Sequence, residues 1–213
     1  MIDLHTHTTF SDGAFIPAEL IRRLAVSGHK GVAITDHGDP SNIEIIIPRV
    51  ARACREVGEL FGVRAVPGIE LTHVPPEIIA KLTIEARKLG AKIVVMHGES
   101  PVEPVAPGTN IAAIEAGVDI LAHPGLITEK EAKLAAKAGV TLEISARKGH
   151  SLCNGHVAMM ARKTGAKLVI NSDGHAPGDF LTPDFRYRVG RGAGLTEAEY
   201  KKTAKVALQL IRK

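Results

Sequence analysis

Short apolar, β-branched runs alternate with longer amphipathic stretches along the whole chain. The runs fall at Met1–Leu4, Gly31–Thr35, Val63–Pro67, Ala91–Met96, Val118–Ala122, Val140–Ile144 and Lys167–Asn171, and they predict seven strands. Helical spacing is expected near Pro17–Ser27, Pro48–Phe61, Pro76–Leu89, Asn110–Ala116, Glu129–Ala138, Asn154–Thr164 and Thr196–Arg212. Pro17 and Pro48 suit first-turn positions, where the missing N–H loses no partner. Thr128 with Glu131, and Thr196 with Glu199, read as capping boxes. Gly28, Gly62, Gly90, Gly139 and Gly165 each follow a helical run, as glycines just past a helix end do. Three-to-four spacing marks apolar stripes at Val50, Ala53, Cys54, Val57 and Leu60, and at Tyr200, Ala204, Ala207, Leu208 and Ile211.

Strict alternation of strand and helix implies a parallel sheet covered by helices. An open doubly wound sheet and a closed barrel both satisfy it. No linker, low-complexity tract or repeat interrupts the pattern, so residues 1–213 read as one domain.

Composition narrows the function classes. Hydrophobic residues make up 45% of the chain, enough for a full core. Aromatics are only 3%, with no Trp, which argues against a stacking surface for single-stranded nucleic acid. The net charge of +4 is a mildly basic, solvated surface and favours no nucleic-acid partner. Cys54 and Cys153 form no C-x-x-C pair, and Cys54 belongs to an apolar helix stripe, so packing explains it. The first residues, MIDLHTHTTF, lack a basic leader, and no apolar stretch approaches membrane-span length. A soluble, cytoplasmic protein with a small-molecule partner is the expectation.

The chemistry sits at the strand ends. Strand one ends in His5 and His7, strand two in Asp36 and His37, and strand three in Glu70. Strand four ends in His97 and strand five in His123. Strand six leads to Glu143 and Arg147, and strand seven ends in Asp173 and His175. The C-terminal edge is where parallel α/β folds build their sites. His5 and His7 are two residues apart and share a strand face, as do Asp173 and His175. Asp36 and His37 point oppositely, so His37 is expected as a ligand and Asp36 as the group orienting a ligand or water. Asp12 lies in an Asp-Gly turn that can fold back over the site.

Together these residues resemble the polymerase and histidinol phosphatase (PHP) superfamily. The matching motifs are Asp3–His7 (DLHTH), Ser11–Gly13, Ile34–Gly38 (ITDHG), Gly68–Glu70, Met96–Gly98, Ala122–Gly125 (AHPG) and Asn171–His175 (NSDGH). They run in family order over nearly the whole chain. The resemblance implies a distorted (β/α)7 barrel, with parallel strands inside and helices outside, holding three divalent metal ions. By motif, one ion would use His5, His7, Glu70 and Asp173; a second would share Glu70 with His97 and His123; a third would use Asp12, His37 and His175. Such ligands suit zinc, manganese or iron.

Three divalent ions against Asp12, Glu70 and Asp173 leave a ligand shell of about +3, suited to a phosphate ester. A metal-bridging hydroxide attacking phosphorus is then the expected route. Arg147 is the first choice as a phosphate clamp, since guanidinium binds phosphate in a bidentate fork. Arg186, Arg188 and Arg191 occupy a long loop read over Ala176–Gly194, with Arg186 and Arg188 as further phosphate contacts. His29 falls on the far edge, while His73, His150 and His156 are read as loop residues on the site's side. A small phosphate monoester, histidinol-phosphate-like, is the expected substrate; a nucleoside phosphate or a DNA end is the alternative. The amidohydrolase barrel also opens with H-x-H, yet it typically holds two metals and often a bridging Lys on strand four, where this chain has His97. A barrel stripped of its metals would show gaps among the ligands, and none is seen.

Overall fold

A computed structural model describes residues 1–213. Seven parallel strands follow one another around a barrel in chain order. They are β1 (Ile2–Asp3), β2 (Gly31–Ile34), β3 (Arg64–Leu71), β4 (Ile93–His97), β5 (Ile120–Ala122), β6 (Thr141–Ser145) and β7 (Leu168–Asn171). A two-residue segment, His37–Gly38, continues β2 past a break at Thr35–Asp36. Ile34 pairs with Pro67 and His37 with Glu70, so the register does not slip. The barrel closes where Thr6 bridges Gly174, with His7 N–H donating to the Gly174 carbonyl at 2.9 Å. The fold is a distorted (β/α)7 barrel.

Eight helices surround it: α1 (Pro17–Val26), α2 (Ile43–Val57), α3 (Pro76–Lys88), α4 (Thr109–Ala116), α5 (Glu129–Ala138), α6 (Asn154–Thr164), α7 (Pro183–Gly192) and α8 (Glu197–Leu210). Both capping boxes form, at Thr128–Glu131 and Thr196–Glu199. None of the helices is long and apolar enough to cross a membrane.

Three expectations shift. Helix α2 begins at Ile43, so Pro48 lies inside the helix rather than in its first turn, and its buried face is Ile43, Ile46, Ile47, Val50 and Cys54. Burial of that isoleucine-rich first half outweighs the lost hydrogen bond, and Leu60 is left exposed. The expected loop over Ala176–Gly194 contains α7, capped by Thr182 with Pro183 at its first position. The buried stripe of α8 is Thr203, Val206, Ala207 and Leu210; of the predicted set Ala207 and Ile211 are buried, while Ala204 and Leu208 face out.

That last shift has a structural purpose. Val206, Ala207, Leu210 and Ile211 pack into one cluster with the inward residues Leu4, Ala33, Val66, Ile93, Val95, Ile120, Ala122 and Val169. Helix α8 therefore plugs the N-terminal mouth of the barrel, each large side chain contributing about 1.5–3 kcal/mol of burial. A separate shell of 39 buried residues joins the barrel's outer surface to the helices. With one mouth filled, only the C-terminal end is free for chemistry.

Candidate metal centre

Strand alternation aims several site residues without further help. Val66 points inward on β3, so Gly68 and Glu70 do as well, and on β4 Ile93 and Val95 put His97 on the same face. Gly68 is required here, because a Cβ would stand 2.7 Å from Thr35 Cγ2 and 2.8 Å from the Ile93 carbonyl. His123 breaks the alternation. Ala122 already faces inward, so the next residue should face out, but a left-handed backbone at His123 (φ 26°) turns its ring into the site. Asp173 is also left-handed (φ 52°). Such conformations cost energy and persist only where surrounding contacts enforce them.

All nine expected ligands converge on the C-terminal mouth. Glu70, wholly buried, lies at its centre. Its carboxylate oxygens stand 3.3 Å from His5 Nε2, 3.6 Å from His7 Nε2, 2.8 Å from His37 Nδ1 and 3.6 Å from His123 Nε2. Asp173 lies 3.4 Å from His7 Nε2, 3.8 Å from His5 Nε2 and 3.7 Å from His123 Nε2. At the lip, Asp12 stands 3.2 Å from His175 Nε2 and 3.5 Å from His37 Nε2. Two ligands of one tetrahedral zinc-sized ion are themselves about 3.3–3.6 Å apart, so these spacings suit shared cations.

The pattern of unmet hydrogen bonds says the same. His5 Nε2, both His7 nitrogens, both Glu70 oxygens, His123 Nδ1 and His175 Nε2 are buried with no directed hydrogen-bond partner. Orphaned buried polar atoms are costly and rare, and here most of them face one another. The donor set fits divalent cations, and three overlapping groups of His, Asp and Glu drawn wholly from it have the spacing to hold one.

Protonation follows from burial and charge. Burial pushes His7 down to about 3, which leaves a neutral ring with a free lone pair. Burial also pushes His5 down, but Glu70, Glu143 and Asp173 together push it further up, and the net pKa is well above the ordinary value. Burial raises the Glu70 carboxyl, yet His5 and His37 overcome that and hold it well below the usual range. Asp173 is depressed in the same way, with His5 the main opposing charge.

The surrounding groups fix the rings. His5 Nδ1 lies 2.9 Å from Glu143 Oε1, and the same oxygen accepts from Asn171 Nδ2 at 2.8 Å. Glu143, which had no evident role in the sequence, thus directs His5 Nε2 at the centre. His97 Nδ1 meets the Gly98 carbonyl at 3.2 Å, which leaves Nε2 facing the cavity. His175 Nδ1 has two neighbours with opposite demands. Donation to the Asp173 carbonyl at 3.0 Å frees Nε2 as a ligand, whereas acceptance from Arg147 at 2.7 Å would put the proton on Nε2.

Asp36 does not reach the cavity. Its carboxylate accepts from Thr8 N–H at 2.6 Å, Thr8 Oγ1 at 2.8 Å and Ser11 Oγ at 2.9 Å. It braces the loop between His7 and Asp12 and makes no hydrogen bond to a ligand ring, so any effect on the ligands passes through that loop. Arg147 does line the cavity, half-buried, 3.2 Å from the Asp173 carbonyl. Arg186 does not. It is buried between α7 and α8, donating to Thr203 Oγ1 at 2.9 Å with its guanidinium over the Tyr200 ring, near the plugged end. Arg188 lies outside the barrel, paired with Asp184 one turn away. The phosphate contacts expected of both are corrected: helix α7 carries Arg186 and Arg188 away from the mouth.

The cavity has a volume of about 290 Å³ and no hydrophobic lining residue. Besides the ligand set and Arg147, its wall holds Thr72, His73, Glu103 and His150. Glu103 carries no signal in the sequence, because it follows His97 inside an irregular loop where no periodicity aims it. His156 lies in α6, held by the Ile127 carbonyl at 2.7 Å, away from the site. His29 is buried at the opposite edge.

The sequence pattern of the PHP domain matches residues 3–180. The chain belongs to the PHP domain family. An uncharacterized protein of Methanocaldococcus jannaschii is 47% identical over 203 residues, covering 94% of this chain and 93% of that one. A probable phosphatase of Shewanella piezotolerans is 30% identical over 214 residues, covering 84% and 81%. Among solved structures, one chain from the crystal structures of YwqE of Bacillus subtilis and CpsB of Streptococcus pneumoniae, described as metal-dependent tyrosine phosphatases, superposes with a TM-score of 0.65 at 18% identity, covering 100% of this chain and 94% of that one. That likeness concerns the fold. Within it, the PHP motifs of this chain are the segments that deliver the buried donors described above.

Proposed function

We propose that this PHP domain is a metal-dependent phosphatase that hydrolyses a small, histidinol-phosphate-like phosphate monoester at a three-metal centre. The observation that carries the reading is the convergence of orphaned histidine and carboxylate donors on the floor of a polar cavity with Arg147 in its wall. Its likeness to a probable phosphatase over most of both chains supports the same reading.

In this reading His5, His7, Glu70 and Asp173 hold one ion, Glu70, His97 and His123 a second, and Asp12, His37 and His175 a third. Zinc, manganese and iron all match these donors. When bound, the ions would neutralise a phosphate dianion and activate water near neutral pH. The chain's own groups do the rest. Glu143 keeps the His5 proton on Nδ1, and Asp36 holds the Asp12 loop in place. Arg147 offers a guanidinium to a phosphate oxygen from the cavity wall. Its size suits a compact phosphometabolite, and its lack of apolar lining suits one whose phosphate supplies most of the binding energy.

The test is phosphate release from a panel of phosphometabolites, nucleoside phosphates and single-stranded DNA, with metal content measured on the same sample. Turnover of a small monoester by metal-loaded protein is expected. His97→Ala and Asp173→Asn should each lose metal and activity with the fold retained by circular dichroism, and Asn tolerates the left-handed backbone at 173. Full turnover by either variant would remove the proposed centre.

A further inference from the structure

The wall of the cavity beyond His97 holds a second group of donors that the nine-residue set leaves out. Glu103 Oε2 lies 3.1 Å from His97 Nε2 and 3.1 Å from His73 Nε2, and Glu103 Oε1 lies 3.3 Å from His150 Nε2. One carboxylate is thus surrounded by three imidazole nitrogens. His150 is 5% exposed, and its Nδ1 is held at 2.7 Å by Ser100 Oγ, which points Nε2 into the cavity. Its ring stacks on that of His123 with centroids 3.9 Å apart and planes within 14°.

The loop that carries Glu103 is held firmly in place. Glu99 Oε1 accepts from the N–H groups of Gly108 and Asn110 at 3.0 and 2.9 Å, closing the loop at its base. Asn110 Nδ2 in turn donates to the Pro124 carbonyl at 2.9 Å, tying it to the segment after His123. A Cβ on Gly125 would stand 1.9 Å from the Glu99 carbonyl oxygen, so the two segments pack with no room for a side chain there. Pro101, Pro104 and Pro107 restrict the same loop. The position of Glu103 is therefore built in.

His97 has only one nitrogen free for a cation, since Nδ1 faces the Gly98 carbonyl. Any ion on His97 Nε2 is then the ion that Glu103 Oε2 meets. We infer that Glu103, backed by His150, is a further ligand of the divalent cation held by His97 and His123, and caps that position. With Glu70 this makes four protein donors, the number of a closed site rather than an open one. Glu103 must then give up its place when a substrate oxygen binds there, and its negative charge strengthens the hold on that ion. The inference rests on the metal-centre reading above and is independent of the phosphate chemistry.

The experiment is chelator competition on the zinc-loaded protein, with zinc content read by elemental analysis at each chelator concentration, for wild type, Glu103→Gln and His150→Ala. Expected is loss of one zinc equivalent from Glu103→Gln at a chelator concentration about tenfold lower than in wild type, the others holding. His150→Ala should move in the same direction by less. In cobalt-substituted protein the visible absorption should change in Glu103→Gln, reporting altered coordination directly. Glu103 is partly exposed at the rim, so the variant folds without core damage, and its melting curve in the metal-free state checks this. Identical zinc release and identical cobalt spectra in wild type and Glu103→Gln would overturn the inference. A loaded protein that releases no phosphate from any substrate would count against the proposed function alone.

Discussion

Glu143 Oε1 lies 2.9 Å from His5 Nδ1, joining two residues 138 positions apart in the chain. Both are fully buried, and the same carboxylate accepts from Asn171 Nδ2 and from the His123 N–H. One side chain thus sets the orientation of a ring from the first strand and ties it to the fifth and seventh. Glu143→Gln would turn an amide NH2 toward one of these donors and leave it unpaired. Metal affinity should fall about ten- to a hundredfold, measured by titration of metal-free protein. Unchanged affinity would mean that His5 needs no such partner.

Arg147 and Arg186 should behave differently. Arg147→Met is expected to raise KM about ten- to a hundredfold while metal content stays at the wild-type level, and Arg147→Lys should recover only part of this because it lacks the fork. Arg186→Met should leave KM unchanged, since Arg186 is buried against Thr203 and Tyr200 at the plugged end. A KM effect at Arg186 equal to that at Arg147 would contradict this placement.

Metal affinity should rise with pH through the neutral range. His5 has a folded pKa well above 6.5, so its protonation stabilises the metal-free protein fully below about 6.5, and this is lost as pH rises through the folded value. Glu70 and Asp173 are depressed, so their contribution is present above the ordinary carboxylate range and is lost only on strong acidification. A cation taking His5 must displace its proton. Calorimetric titrations in buffers of different ionisation enthalpy should show proton release, and an affinity flat from about pH 6 to 8 would refute the assignment.

Pro48 offers a test of the fold by itself. It lies exposed in the interior of α2, where it removes a bond to the Glu44 carbonyl. Pro48→Ala restores that donor at the cost of a freer unfolded chain, and a net gain of about 1–2 kcal/mol is expected. The denaturant midpoint should move up with an unchanged slope. A loss of stability would show that the proline ring packs usefully.

The sequence by itself determined the order of seven strands, the parallel sheet and the edge on which the reactive groups gather. Those features rest on local rules: β-branched runs, glycines past helix ends, capping boxes, and the alternation that aims Glu70 and His97. The motifs also named the nine residues that meet in the mouth, because eight of them lie on or just past a strand end and Asp12 lies in the turn that follows the first. Only the tertiary structure decided the rest, where partners come from distant segments or the backbone departs from regular geometry. No periodicity predicts that a left-handed turn swings His123 inward, or that Asp36 spends its carboxylate on Thr8 and Ser11. Helix α7 removed Arg186 and Arg188 from the mouth, although the Thr182–Pro183 start was present in the sequence. The ring of histidines around Glu103 is likewise a product of packing, since three loops must close on one another before those side chains meet.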